Sequence, residues 1–111
     1  MITRFGRAID DLLGRRQYAI GKYHLKRCRY VDALYSFEGA ERWYSEKYGP
    51  QHAYVVAALL RQGQCNSKLD RIEAACRAYR RALAIIEDTE GLDHPMAREV
   101  IEYLNRNCPE Q

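Results

Sequence analysis

The side chains best suited to chemistry in this chain are histidines 24, 52 and 94 and cysteines 28, 65, 76 and 108. Converging histidines and cysteines could hold a metal ion or activate a nucleophile. However, no two cysteines have the two-residue gap of a zinc or redox motif. Cys65 and Cys76 fall within apolar helical patterns, where a free thiol behaves as a small hydrophobic group. We therefore predict no metal site.

Other catalytic patterns are also missing from the sequence. The serines at positions 36, 45 and 67 do not lie in a nucleophile elbow, and there is no glycine-rich phosphate loop or dinucleotide fingerprint. The carboxylates at positions 87, 88, 90 and 93 crowd a predicted helix end and loop, where we expect them to face water. The sequence thus predicts a protein that is not an enzyme and has no cofactor.

The chain repeats itself when it is shifted by 42 residues. Identical pairs in this register are Gly21 with Gly63, Lys26 with Lys68, Arg29 with Arg71, Ala33 with Ala75, Ala40 with Ala82, Gly49 with Gly91, and His52 with His94. Phe37 meets Tyr79 in the same register. A glycine inside a helix costs about 1 kcal/mol relative to alanine, so its recurrence predicts that another helix approaches closely there.

These positions resemble the tetratricopeptide repeat family. Its signature is a small residue in the first helix and Ala-x-x-x-aromatic-x-x-Ala in the second. The second-helix pattern reads ALYSFEGA over residues 33–40 and ACRAYRRA over residues 75–82. A usual repeat has about 34 residues. The longer period here, and the Gly-Leu-Asp-His-Pro sequence at 91–95, look like the kinesin light chain subclass. The resemblance covers residues 10–106.

The resemblance implies an all-α fold, a right-handed superhelical array of antiparallel helix pairs forming a single domain over residues 1–111. We predict repeat one at 10–50, repeat two at 52–92 and a C-terminal capping helix at 95–106. The predicted helices cover residues 10–27, 31–47, 53–68, 71–88 and 95–106. Before them, residues 2–9 are expected to form a short amphipathic turn, with Gly6 and Gly14 breaking or bending the chain.

In this family the first helix of each repeat lines a concave groove. The groove residues that we predict are Arg15, Tyr18, Lys22, Leu25 and Lys26 in repeat one, and Leu60, Arg61, Gln64 and Lys68 in repeat two, with Ala57 beside them. Cations next to apolar side chains suit an acidic extended or helical peptide with an apolar anchor. The resemblance therefore implies a protein interaction module, an adaptor or scaffold, with an acidic protein or peptide as its partner.

The ligand of the better-known relatives does not transfer. Kinesin light chains carry paired asparagines in the first helix, and the corresponding positions here are Tyr18-Ala19 and Leu60-Arg61. The carboxylate-clamp pattern is not reproduced either, since the last helix offers Glu99 and Glu102 instead of cations. We therefore predict no binding to a chaperone C-terminus.

Two other functions stay open at this stage. Residues 1–30 carry a net charge of +6, whereas residues 31–111 carry −3, and tyrosines are interleaved with the N-terminal cations. This pattern occurs in surfaces that bind single-stranded nucleic acid. Alternatively, the apolar residues Ile2, Phe5 and Ile9 could dock on a second copy and form a homo-oligomer.

The location of the protein is inferred from what the sequence lacks. The apolar runs, such as residues 54–60, are far shorter than the roughly 20 residues that span a bilayer. No signal peptide is evident at the N-terminus, and the cysteines read as unpaired. We therefore predict a cytoplasmic location and no membrane association.

Overall fold

The fold is given by a computed structural model that describes the backbone of residues 4–108 and the side chains of residues 12–108. Five helices follow one another: α1 (Arg4–Lys26), α2 (Tyr30–Tyr48), α3 (Ala53–Lys68), α4 (Ile72–Thr89) and α5 (Pro95–Asn107). No strand occurs between residues 4 and 108. Each helix packs against the next one along the chain. The predicted all-α helical array is confirmed.

The first helix differs from the prediction. It begins at Arg4 and continues through Gly14 without a break, so residues 4–9 are helical and do not form a separate turn. Asp10 and Asp11 consequently lie inside the helix and not in its first turn. A glycine alone does not end a helix when tertiary packing supports it. Ile2 lies outside the described residues, as do the side chains of Phe5 and Ile9.

Glycines in the first helices make room for aromatic rings. A Cβ atom added at Gly21 would lie 2.6 Å from the ring of Phe37, and one added at Gly63 would lie 2.6 Å from the ring of Tyr79. The predicted close helix approach is therefore confirmed at both glycines. Gly14 serves the same purpose, because a Cβ there would lie 2.7 Å from the ring of Tyr44.

The turns inside the two helical hairpins share one conformation. Cys28 and Asp70, which are 42 residues apart, have φ angles of 58° and 60°. In the residues that follow, the N–H of Arg29 donates to the carbonyl of His24 (2.9 Å), and that of Arg71 donates to the carbonyl of Asn66 (2.8 Å). The register seen in the sequence is therefore also a register of backbone geometry.

Histidines begin the helices that follow the longer turns. Nδ1 of His52 accepts a hydrogen bond from the N–H of Tyr54 (3.0 Å), and Nδ1 of His94 accepts one from the N–H of Met96 (3.2 Å). Each histidine is the N-cap of its helix, α3 or α5. The side chain thus satisfies one of the N–H groups that a helix start leaves without a partner.

The cap at His94 gives a testable stability prediction. We expect His94→Ala to lower the free energy of unfolding by about 1 kcal/mol, the usual cost of losing a side-chain cap. His94→Asn should keep most of that stability, because an asparagine oxygen can accept the same hydrogen bond. Urea unfolding followed by circular dichroism measures both variants. Equal losses for alanine and asparagine would show that the cap does not stabilise α5.

A buried amide joins the two helical hairpins. Nε2 of Gln62 donates to Oε1 of Glu41 (2.8 Å) and to the carbonyl of Phe37 (3.4 Å). The other carboxylate oxygen of Glu41 accepts from Nη2 of Arg81 (2.8 Å). Gln62 is only 7% exposed. Both N–H groups of this buried amide therefore have acceptors in the preceding hairpin.

The last helix closes the array against α4. Ala97 and Val100 are buried. Met96, Ile101 and Leu104 are half-buried. The polar side of the helix is exposed and consists of Arg98, Glu99, Glu102, Asn105 and Arg106. None of the helices described is both long and apolar enough to cross a bilayer.

The expectation of four unpaired cysteines is wrong for two of them. Cys76 and Cys108 form a disulfide with a Cα–Cα distance of 6.0 Å, while Cys28 and Cys65 are free. Sequence spacing could not reveal this pair, because the antiparallel packing of α5 on α4 brings the two residues together. The cytoplasmic location consequently loses the support that it drew from unpaired cysteines.

Candidate functional site

Three adjoining cavities form a groove along the face built by α1, α3 and α5. The first (340 Å³) is lined by Arg15, Tyr18, Tyr44, Tyr54 and Ala57. The second (450 Å³) is lined by Tyr18, Ala57, Leu60, Arg61, Gln64, Tyr79, Met96, Glu99, Val100 and Tyr103. The third (490 Å³) is lined by Ala19, Lys22, Tyr23, Leu25, Lys26 and Arg61. Since neighbouring cavities share Tyr18, Ala57 or Arg61, we treat them as one surface, called the groove.

The structure brings together nearly all of the residues predicted for the groove. Eight line the three cavities: Arg15, Tyr18, Lys22, Leu25, Lys26, Leu60, Arg61 and Gln64. Lys68 is the exception, since it is the last residue of α3, is exposed and lines none of these cavities. Its side chain therefore lies beyond the groove defined here.

Arg61 occupies the centre of the groove and is held there by two side chains. Its Nε donates to the hydroxyl of Tyr18 (3.2 Å), which links α3 to α1. Its Nη1 donates to Oε1 of Gln64 one turn later on α3 (3.3 Å). The other three guanidinium N–H groups have no partner among the described residues and could bind a ligand. Tyr18 also has the ammonium of Lys22 5.5 Å from its ring centroid.

The charge of the groove is mainly positive. Its lining includes the cations Arg15, Lys22, Lys26 and Arg61, whereas Glu99 is the single acidic residue among the lining side chains. Among the side chains of residues 12–108, no carboxylate forms an ion pair with Lys22, Lys26 or Arg61. A cleft lined by one sign of charge concentrates ligands of the opposite sign.

Aromatic rings that the sequence-based prediction omitted form much of the groove wall. Tyr44 and Tyr54 line the first cavity, with ring centroids 5.1 Å apart, and Tyr79 and Tyr103 line the second, with centroids 4.4 Å apart. Burial raises the pKa of Tyr79 to about 12, so this hydroxyl stays neutral at physiological pH. Tyr54 could have been found from its spacing, since residues 54, 57, 61 and 64 share one face of α3.

Three of the groups with catalytic potential lie elsewhere in the fold and are poorly suited to catalysis. Burial raises the pKa of the Cys65 thiol to about 11, so it remains protonated and is a poor nucleophile. His52 and His94 accept hydrogen bonds as helix caps. Among the described residues, no group of three or more His, Cys, Asp or Glu side chains could hold a metal ion. The chemistry that the groove offers is ion pairing, hydrogen bonding and apolar contact.

Paired helices stacked side by side, with a concave face, define a helical repeat protein. A tetratricopeptide repeat family profile matches residues 15–88, which is more than half of the chain, so this chain belongs to the tetratricopeptide repeat family. No curated protein and no solved structure matches the chain significantly. The family consists generally of non-catalytic modules that bind other proteins, and no enzyme family is indicated.

Proposed function

We propose that this protein binds an acidic segment of a partner protein in the groove. The observation that carries the proposal is the position of Arg61, which bonds to Tyr18 and Gln64 at the junction of two cavities and has no carboxylate partner among the described residues. A guanidinium held in this way matches the planar geometry of a carboxylate. Lys22 and Lys26 lie along the same wall and extend the positive charge.

An apolar side chain of the partner would be seated next to Arg61. The cavity of 450 Å³ has apolar walls from both helices, with Leu60 on α3 and Met96 and Val100 on α5. Moving one large side chain of the partner from water into this cavity would contribute about 25 cal/mol of favourable free energy per Å² of apolar surface buried. The favoured partner is therefore an acidic peptide, extended or helical, with one aliphatic or aromatic anchor.

The proposal extends to the repeat type. Support for the kinesin-light-chain-like subclass comes from the 42-residue register and from the paired turns, in which Gly49 and Gly91 have φ angles of 94° and 84°. Repeat one would then comprise residues 10–50, repeat two 52–92 and the capping helix 95–106. Lys68 would act at a distance, by adding positive charge beyond the groove.

The test begins with peptides selected from a displayed random library on the full chain. Enrichment of Asp and Glu around one apolar residue is expected. The affinity of a selected peptide is then measured by fluorescence anisotropy for the variant Lys22→Glu with Lys26→Glu, where we expect a loss of at least about tenfold. Added salt should weaken binding to the unmodified protein as well.

The matched control is Arg42→Glu with Arg77→Glu. Both arginines are exposed, lie on α2 and α4, and line no cavity of the groove. This variant has the same change in net charge and should keep its affinity within about twofold. Equal losses in the two double variants would contradict a site in the groove. Tight binding of single-stranded RNA, or dimerisation seen by sedimentation, would favour one of the other two functions.

A further inference from the structure

Helix α5 forms one wall of the groove but is buried unevenly along its length. Ala97 and Val100, in its first two turns, are its only buried residues. In the later turns, Ile101, Tyr103 and Leu104 are half-buried. Packing therefore holds the beginning of α5 more firmly than its end.

One polar atom makes the packed state of the later turns less favourable. The hydroxyl of Tyr103 is buried and has no hydrogen-bond partner among the described residues. A buried hydroxyl without a partner has lost its hydrogen bonds to water and gained none in return. If the end of α5 moved away from α4, this hydroxyl would regain water.

The disulfide acts at this loosely packed end. Cys76 lies on α4 and is 3% exposed, whereas Cys108 follows the last residue of α5 and is half-buried. The N–H of Cys108 donates to the carbonyl of Leu104 (2.9 Å), so the covalent bond is continuous with the helix end. The disulfide joins residues that are 32 positions apart in the sequence. Because the bond is covalent, it restricts how far the end of α5 can separate from α4.

We propose that the Cys76–Cys108 disulfide is a redox-sensitive latch, and that its reduction by a dithiol releases the end of α5 and withdraws Tyr103 from the groove wall. The release itself needs no ligand. Release would also widen the second cavity and lower the affinity for the peptide. This effect on partner binding rests on the proposed function.

The reaction is an ordinary thiol–disulfide exchange. A thiolate of the dithiol attacks Sγ of Cys108, which is the more exposed residue of the pair, and the bond to Cys76 breaks. Cys76 leaves as a thiolate and takes up a proton. The second thiol of the reductant, as a thiolate, attacks the mixed disulfide and releases Cys108, which is protonated in turn. Two electrons pass to the protein, and the reductant is left as a disulfide.

Hydrogen exchange followed by mass spectrometry tests the latch on the full chain. The background variant Cys28→Ser removes the exposed free thiol, which could otherwise exchange with the disulfide. After reduction with dithiothreitol, peptides covering residues 101–108 should exchange about tenfold faster or more, while peptides of α1 and α3 stay unchanged. Adding Cys108→Ser should give the same fast exchange without reductant and no response to it.

Three results would overturn the proposal. The first is equal protection of residues 101–108 in the oxidised and reduced forms. The second is loss of protection throughout the chain on reduction, which would make the disulfide a global stabiliser. The third is labelling of Cys76 and Cys108 by a thiol reagent in protein prepared under oxidising conditions. No partner is present in this experiment, so its failure is distinct from a failure of the peptide-binding proposal.

Discussion

Replacing Gly21 with alanine is expected to lower the free energy of unfolding by about 1–3 kcal/mol, the usual cost of overpacking a core. The new Cβ would lie 2.6 Å from the ring of Phe37, and Phe37 is 0% exposed, so the ring cannot move aside into solvent. The ordinary gain of about 1 kcal/mol from placing alanine in a helix would offset only part of this loss. Urea unfolding followed by circular dichroism measures the difference.

Gly39 offers a matched control within the same hairpin. It lies inside α2, but the nearest atom to an added Cβ is Oε1 of Gln17 at 3.5 Å, which is an ordinary contact. Gly39→Ala should therefore stabilise the protein by up to about 1 kcal/mol. Trimming the ring with Phe37→Leu should reduce the cost of Gly21→Ala, because the two changes act on one space. Stabilisation by Gly21→Ala to the same degree as by Gly39→Ala would contradict the close approach of α1 and α2.

The second large effect is expected at the junction of the hairpins, where Glu41→Ala should cost about 1–3 kcal/mol. Removing the carboxylate takes away the shorter of the two hydrogen bonds of the buried Gln62 amide, which lies 2.8 Å from Oε1 of Glu41. The remaining bond to the carbonyl of Phe37 is long, at 3.4 Å. The amide would consequently be left poorly satisfied in the core.

The ion pair of Glu41 with Arg81 should matter much less. The side chain of Arg81 is 58% exposed, and exposed ion pairs contribute about 0–1 kcal/mol. Arg81→Ala is therefore the control, with a loss well below that of Glu41→Ala in the same unfolding measurement. If Arg81→Ala were as costly as Glu41→Ala, the stability of the junction would come from the ion pair and not from the buried amide.

The repeated positions made most of the fold predictable. Gly21 and Gly63 indicated close helix contacts because glycine is costly inside a helix unless a neighbour requires it. Helix α3 has the predicted bounds, 53–68, since His52 caps its start and its apolar pattern continues to its end. Helical glycines, capping residues and apolar periodicity can all be recognised in one sequence without knowing which distant residues are in contact.

The features that were missed depend on contacts between distant residues. Gly14 was expected to bend the chain, yet it accommodates the ring of Tyr44, which lies 30 positions later in the sequence. The disulfide was missed because Cys76 fits an apolar helical face as well as any small hydrophobic residue. Both outcomes follow from how antiparallel helices are aligned, which helical periodicity alone does not specify.

The candidate site was predicted to a similar degree. The family resemblance placed the first helices at a groove. Helical spacing then selected eight of the side chains that line it, because residues three and four apart share a face. It did not identify the hydrogen bond between Tyr18 and Arg61, which joins two helices. It also left out Tyr79 and Tyr103, because their place at the groove depends on how α4 and α5 are positioned.

Nuclear magnetic resonance of the isotopically labelled full chain, titrated with a selected acidic peptide, tests the binding site most directly. We expect the largest shifts at the Nε–H of Arg61, at Tyr18 and at Leu60, with Lys22 and Lys26 also affected, and little change on the outer surfaces of α2 and α4. Saturable binding with shifts confined to those outer surfaces, or to residues before position 12, would contradict an acidic-peptide site in the groove.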